Sequence, residues 1–282
     1  MDNDVHEQVA IDVNVELLRS GHLGGAPSNG AHLVRSFSPM GSSMVVRRSI
    51  QTILSASRDR LLRAGLGALL TVAGAVPAFA QADGDRHLWL QAVAVVKVDE
   101  AWRLHLEAQP RWFEDVSAPF QVLARTAVGR QMTPAVSLWA GHGWIAKPPG
   151  PGVKHEQRLW EQISASLPAA TGWAFLVRWR QEQRWQEGWD GVSHRTRLMG
   201  RASHRFRGAW SAIVWDEAMV TLNPTGSGPV RGFDQNRLFG GVGRRLSPQV
   251  AIEGGYLWFA LRPTPGVRSD NHVALVTANL NF

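Results

Sequence analysis

The feature that most constrains this chain is a two-residue alternation of apolar and charged side chains, which recurs after residue 81. In residues 102–112 one face carries Trp102, Leu104, Leu106, Ala108 and Trp112, and the other carries Arg103, His105, Glu107, Gln109 and Arg111. Successive side chains of a β-strand point to opposite faces, so this period predicts a strand with one apolar and one charged face. No stretch after residue 81 has a convincing 3.6-residue period, and the predicted class is all-β.

The same pattern divides the rest of the chain into strands. Residues 173–185 and 195–202 repeat it, and further candidates are 87–97, 120–132, 135–145, 155–166, 209–221, 234–246, 249–261 and 271–282. Short turns alternate with longer connections at 113–119, 146–154, 186–192, 222–233 and 262–270. This organisation is typical of a single antiparallel transmembrane β-barrel. Eleven segments are counted, but bacterial barrels usually have an even number of strands. We therefore predict 10–12 strands and favour twelve.

The end of the chain resembles the closing strand of bacterial outer-membrane barrels. Counting back in twos from Phe282 gives Leu280, Ala278, Val276 and Ala274, an unbroken apolar face that ends on an aromatic residue. In those barrels the final strand carries the signal that the barrel-assembly machinery reads. The resemblance implies that Phe282 and Leu280 form such an assembly signal and that this machinery is a partner during biogenesis.

The front of the chain has the features of an export signal. Residues 64–80 are apolar and rich in Gly and Ala, arginines precede them, and Ala78-Phe79-Ala80 forms a small-x-small cleavage site. These features predict a signal peptide over 44–80, cleaved after Ala80, because the apolar run is shorter than the roughly 20 residues of a membrane helix. Residues 1–43 are either a disordered extension or the result of an upstream start assignment. Residues 81–282 form the predicted barrel.

Charge and cysteine content exclude several classes of protein. The net charge is +7, but the arginines are spread over alternating strand positions among glutamates, and no basic block or RNA-binding motif is present. Nucleic acid is therefore not an expected partner. The chain has no cysteine, which excludes disulfides, thiolate metal sites and a cysteine-linked lipid anchor.

Alternation alone does not decide which face points inward. A soluble periplasmic binding barrel would bury Leu104 and Trp179, whereas a membrane barrel would turn them to lipid. Arginine facing mid-bilayer lipid costs roughly 2–4 kcal/mol, so a membrane barrel must enclose its charged face. The terminal aromatic residue and the export signal favour the membrane. The predicted luminal charge network is Arg103, Glu107, Arg111, Arg178, Arg180, Glu182, Arg184, Arg195, Arg197, Arg201 and Arg237.

Four segments resemble an exported bacterial family catalogued as domain of unknown function 2490. The most specific segment is 234–243, Asp-Gln-Asn-Arg-Leu-Phe-Gly-Gly-Val-Gly, and weaker ones are 88–90, 138–144 and 155–160, in the expected order. His142 and Arg244 stand where the family usually has aromatic residues. The resemblance implies an outer-membrane barrel in a Gram-negative bacterium, with no assigned activity.

The sequence leaves three classes of function open: a structural barrel or narrow solute pore, which leads, an outer-membrane lipid-modifying enzyme, and a soluble periplasmic binding barrel. The luminal charges either neutralise one another in a structural barrel or, because arginine exceeds glutamate, line a narrow anion path or bind acidic groups of lipopolysaccharide. A lipid-modifying enzyme is disfavoured: in Ser193-His194 and Ser203-His204 the adjacent side chains point to opposite faces, and no Gly-x-Ser-x-Gly elbow is present.

Scattered histidines such as His105 lack metal-site spacing, and no cofactor is predicted. In the run Gly240-Gly241-Val242-Gly243, we expect a large luminal side chain to pack against bare backbone rather than a phosphate loop.

Overall fold

Eleven β-strands account for most of the residues that the computed structural model describes, which are 84–147, 153–264 and 267–282. The strands are β1 Arg86–Lys97, β2 Trp102–Phe113, β3 Ala118–Gln131, β4 Val136–Lys147, β5 Lys154–Leu167, β6 Trp173–Gln186, β7 Ser193–Arg207, β8 Trp210–Thr221, β9 Gly232–Arg245, β10 Val250–Thr264 and β11 Val267–Asn281. The predicted extension (1–43) and signal peptide (44–80) lie outside these residues. No helix in the described part of the chain is long and apolar enough to cross a membrane.

The strands form a closed barrel in which each strand pairs with its neighbours in the sequence. Every hairpin reverses the chain direction, so in an odd-numbered barrel the first and last strands run the same way. β1 and β11 accordingly pair in parallel, from Arg86↔His272 to Val95↔Asn281. The preference for twelve strands was therefore wrong, and the antiparallel prediction holds for every pair except this seam.

The predicted strands match the observed ones closely, with one marked difference. The predicted loop at 262–270 is instead the tip of a long hairpin, because β10 and β11 continue to pair as far as Thr264↔Val267. Its Pro-Gly composition indicated a loop, but the ladder persists past a register shift that follows Leu261. The connections at 114–117, 187–192 and 222–231 lie at this same end of the barrel.

The apolar face of the alternating pattern points outward. Leu104 and Trp179 are 41% and 45% exposed, whereas Arg103 and Arg180 on the same strands are 7% and 4% exposed. A barrel with leucine and tryptophan inside and arginine outside would show the reverse. The inversion that a membrane barrel requires is present in the fold.

One side of the interior is nonetheless apolar. The buried cluster consists of Trp89, Ile213, Phe239, Leu257, Phe259, Val273 and Leu275. The glycine run in β9 packs as predicted: a Cβ on Gly241 would lie 2.5 Å from the Phe239 ring and 2.5 Å from the carbonyl oxygen of Gly254. The bare backbone at Gly241 therefore makes room for the Phe239 ring inside the barrel.

The seam includes the last residue of the chain. The backbone N–H of Phe282 donates to the carbonyl oxygen of Val95 (2.9 Å), and the N–H of Lys97 donates to the carbonyl oxygen of Phe282 (2.6 Å). Leu280 is buried and the Phe282 side chain is half-buried. Both lie on the face of β11 opposite to the luminal residues Val273 and Leu275.

Candidate functional site: an arginine-rich lumen

All eleven predicted network residues lie on the inward face of the barrel. Eight are buried: Arg103, Glu107, Arg111, Arg180, Glu182, Arg184, Arg195 and Arg197. The remaining three, Arg178, Arg201 and Arg237, have side chains that are 17%, 13% and 11% exposed. Strand alternation carries all of these side chains inward, but they do not form a single cluster. Arg103 lies near the short-turn end, where its Nη1 has no hydrogen-bond partner in the described part of the chain.

Glu182 is the centre of the densest part of the network. Its Oε2 accepts from Arg195 Nη2 (2.6 Å), and its Oε1 accepts from Arg197 Nη1 (2.6 Å). Arg197 also donates to Glu217 Oε2 at 2.7 Å, so one guanidinium joins two carboxylates on β6 and β8. Charge-assisted contacts of this kind are the strong hydrogen bonds of a protein interior. They fix these four side chains in one arrangement.

A second centre was not predicted from the sequence, because β5 carries polar residues on both of its faces and its inward face is not marked by alternation. Glu156, fully buried on β5, accepts from Arg158 Nε and Arg184 Nε, both at 2.7 Å, and also from Lys147. Arg125 pairs with Glu107 at 2.7 Å, and Arg201 pairs with Glu253 at 2.8 Å. The signal that could have located these residues is their phase: each lies an even number of positions from a luminal residue on its own strand.

Three arginines are held mainly by aromatic rings and amides, and one of them, Arg237, also lies 3.8 Å from Glu217. The Cζ of Arg111 lies 3.9 Å from the centroid of the Trp89 ring, and that of Arg180 lies 4.2 Å from the centroid of Trp160. Arg237 lies 5.1 Å from the ring centroids of both Trp89 and Phe259. A cation over an aromatic face is stabilised without being neutralised. The rings and amides stabilise these guanidiniums without adding negative charge to the lumen.

The network surrounds a central cavity of about 140 Å³. Its charged lining consists of Arg111, Arg125, Arg178, Arg180, Arg197, Arg201, Arg237, Glu107, Glu217 and Glu253. Seven arginines thus face three glutamates. The Nε atoms of Arg125, Arg201 and Arg237 have no hydrogen-bond partner in the described ranges. The lining of the cavity therefore has more positive than negative side chains, and it has unused hydrogen-bond donors.

The other sequence candidates do not assemble into a reactive site. His105 is buried, its Nε2 lies 3.4 Å from Glu107 Oε2, and its ring packs edge-on against Trp139. Ser193 and Ser203 are buried on the inward face, whereas the adjacent His194 and His204 lie on the other face. In the described residues no group of three or more His, Cys, Asp or Glu side chains could hold a metal ion.

Comparison with known proteins gives three similarities. The model of a family described as "protein of unknown function (DUF2490)" matches residues 86–269. An uncharacterized protein of Methylorubrum extorquens is 30% identical over 215 residues, which cover 74% of this chain and 94% of that protein. A solved structure of the NanC porin covers 67% of this chain and 94% of its own, with 9% identity and a TM-score of 0.44.

Proposed function

The chain belongs to the DUF2490 family, and from that premise we propose that it is an outer-membrane β-barrel whose lumen is a narrow path for small anions. The single observation that carries the anion assignment is the excess of arginine over glutamate around the central cavity. Rings of Arg or Lys are the means by which pores select anions. We propose no catalysed reaction and no cofactor for this barrel.

The outward face supports the membrane assignment. Trp102, Trp173 and Trp210 are exposed near the short-turn end of their strands, and Trp185 is exposed near the other end. Aromatic residues at both ends of an outward apolar band are typical of transmembrane barrels, where their rings lie at the lipid–water interface. The predicted export signal, which lies outside the described residues, agrees with this location, and so does lipid as the surrounding partner.

Planar-bilayer conductance in a salt gradient tests the anion path. We expect a small current whose reversal potential has the sign of anion preference. Arg237→Gln, on the inward face of β9, should reduce that preference, because it removes a luminal charge that aromatic rings hold. Arg244→Gln is the matched control, since Arg244 lies over the outward Trp210 ring on the same strand. A cation preference, or an equal effect of the two changes, would contradict the proposal.

A purely structural barrel is the second candidate, and the small cavity favours it. Glu156 and Glu182 bind several guanidiniums at short distance, and such an interlocked network resists opening. Absence of current from a correctly folded barrel would select this function. Binding of acidic lipopolysaccharide groups is compatible with either candidate and would show as saturable displacement of a fluorescent lipopolysaccharide from the barrel.

We further propose that Phe282 and Leu280 form the assembly signal. The Phe282 backbone already closes the seam through two hydrogen bonds, so its side chain can be changed without removing them. Phe282→Ser should lower the amount of folded barrel in the outer membrane of cells, yet leave folding of the purified chain into lipid vesicles unchanged. An equal loss in vesicles would assign Phe282 a purely structural role.

A further inference from the structure

The outward face of the barrel is not uniformly apolar. On β1 and β2 it carries residues such as Leu88, Leu90 and Leu106. On β4, β5 and β6 it carries an outer polar patch, which we define as His142, Gln157, Glu161, Gln181 and Gln183. The register pairs His142 with Leu159 and Glu161 with Gln181. The patch is therefore continuous across three strands near the middle of their length.

Contacts within the outer polar patch leave much of its hydrogen-bonding capacity unused. His142 Nε2 lies 2.7 Å from Gln157 Oε1, and Gln183 Nε2 donates to Glu161 Oε2 at 3.1 Å. His142, Gln157 and Glu161 are exposed. In water such groups would be solvated, but in hydrocarbon an ionisable or amide side chain needs a protein partner. Asp216 and Asn236, further round on β8 and β9, also lie outward and bond to each other at 3.0 Å.

We propose that the outer polar patch packs against the same patch of a second copy of the chain. This inference rests on the proposed location in the membrane. The patch is self-complementary: it offers a carboxylate at Glu161, a ring N–H donor at His142, and amides that both donate and accept. A two-fold axis places each residue i against a residue j and each j against an i, and in the proposed dimer Glu161 of each copy faces His142 of the other.

The surface beside the patch allows close approach. A groove of about 490 Å³ is lined by Leu104, Leu106, Thr126, Val128, Ala140 and Leu159, and His142 and Glu161 lie along it. Small residues at its floor, such as Ala140, let neighbouring backbones come near, as they do where membrane segments associate. Leu159, which is 49% exposed, lies among the patch residues and next to the proposed axis.

Site-directed crosslinking in isolated outer membranes tests the interface. Because the chain has no cysteine of its own, an introduced cysteine is the one residue of the chain that can form a disulfide. Leu159→Cys should give a disulfide-linked species of twice the chain mass. Val242→Cys on β9 is the matched control, because Val242 is also outward and 47% exposed; it should give no dimer. Adding His142→Leu and Glu161→Leu to Leu159→Cys should abolish the dimer, and native mass spectrometry should show only the single chain mass.

The possible results separate this inference from the proposed function. Three results in a membrane-inserted barrel would overturn the interface: no dimer from Leu159→Cys, equal crosslinking from Val242→Cys, or an adduct of another mass. None of them would contradict the anion path. Dimer formation without conductance would support the interface and count against the path. A mature chain recovered only in the soluble fraction would overturn both.

Discussion

A buried carboxylate in this lumen depends on the guanidiniums around it. Glu182 is fully buried and receives hydrogen bonds from Arg195 and Arg197, with Arg158 at 3.8 Å. Removing one member of such a network leaves the other charges desolvated and unpaired, which costs more than the original contact contributes. Arg195 keeps Asp234 and Arg197 keeps Glu217, so the loss should fall short of complete unfolding.

We therefore expect Glu182→Gln to lower the free energy of unfolding by about 3–5 kcal/mol. Urea-induced unfolding from lipid vesicles, followed by tryptophan fluorescence, measures the change. Glu100→Gln is the control: Glu100 contacts Lys97 at the surface with its side chain 93% exposed, and a surface pair contributes about 0–1 kcal/mol. Equal changes for the two variants would show that the luminal network does not stabilise the barrel.

Asp85 stabilises the turn between β2 and β3 from a distant part of the sequence. Its carboxylate accepts the backbone N–H groups of Glu114 and Asp115, each at 3.0 Å. Glu114, Asp115 and Val116 have φ of 51°, 55° and 67°, in the left-handed region that side chains disfavour. Burial raises the pKa of Asp85, but these bonds and the one from His87 outweigh it, so the pKa lies below the ordinary 3.8.

The stability that Asp85 contributes should therefore depend on acidity in a defined direction. A carboxylate whose pKa is lower in the folded state stabilises fully above its unfolded pKa, and the contribution is lost as pH falls through the folded pKa. The difference in unfolding free energy between the parent chain and Asp85→Asn should be constant above about pH 5 and shrink below about pH 4. Denaturation across this range measures it; a difference that grows on acidification would refute the role.

Sequence reasoning identified luminal residues mainly where several charges recur on one strand face, and it missed Glu217, which stands alone on the inward face of β8. Arg178, Arg180, Glu182 and Arg184 form a run that shows its own phase. Glu217 is the inward acid of β8 and has no such run, so only the fold shows that it binds Arg197. Which arginine meets which glutamate depends on cross-strand register, and alternation does not specify register.

At the level of strands, the alternation predicted positions well, and the antiparallel prediction holds for every pair except the β1–β11 seam. A strand with one apolar and one charged face has the same pattern beside a parallel or an antiparallel neighbour. The parallel seam of β1 and β11 follows from the odd number of strands. The sequence pattern gives that number only if every strand is counted correctly. The hairpin of β10 and β11 was shortened in the prediction because Pro265-Gly266 and its charged surroundings are typical of loops.

The glycines of β9 allow a test of packing within one element. A Cβ on Gly241 would meet Phe239 and Gly254, both at 2.5 Å, whereas a Cβ on Gly240, which faces outward, would have nothing within 4 Å. Gly241→Ala should lower the free energy of unfolding by about 1–3 kcal/mol, the usual cost of overpacking a core. Gly240→Ala should leave it nearly unchanged. Comparable losses in urea unfolding would show that strand flexibility, and not the Phe239 contact, decides the effect.

Across the whole molecule, most luminal charges lie on β2–β7 (the charged half), whereas β8–β11 and β1 carry the apolar cluster (the apolar half), with Glu217, Arg237 and Glu253 as charged exceptions. The sequence analysis predicted luminal charges and did not predict the apolar half. The reason is physical: both faces of β10 are largely apolar, and the inward face of β11 mixes apolar residues with Asn271, Thr277 and Asn279, so alternation gives no signal of which residues are inside. Closure of the barrel brings the two halves together, and the cavity lies where they meet.

Trp89 lies at this boundary, and its removal tests whether the packed interior limits the path. The ring is 2% exposed, Arg111 and Arg237 lie over it, and Phe259 meets it edge-on at 5.3 Å. Trp89→Ala would open space beside the cavity and free both guanidiniums. We expect single-channel conductance to rise severalfold and anion preference to weaken, with a loss of about 3–5 kcal/mol in unfolding free energy.

The control for this change is Trp102→Ala, because Trp102 is outward and 43% exposed. Its removal takes away an interfacial anchor but no luminal volume, so conductance should stay at the parent value. If Trp89→Ala left conductance unchanged in a folded barrel, the constriction would have to lie in the charged half. The bonds of Arg197 to Glu182 and Glu217 would then be the limiting element, and the apolar half would serve stability alone.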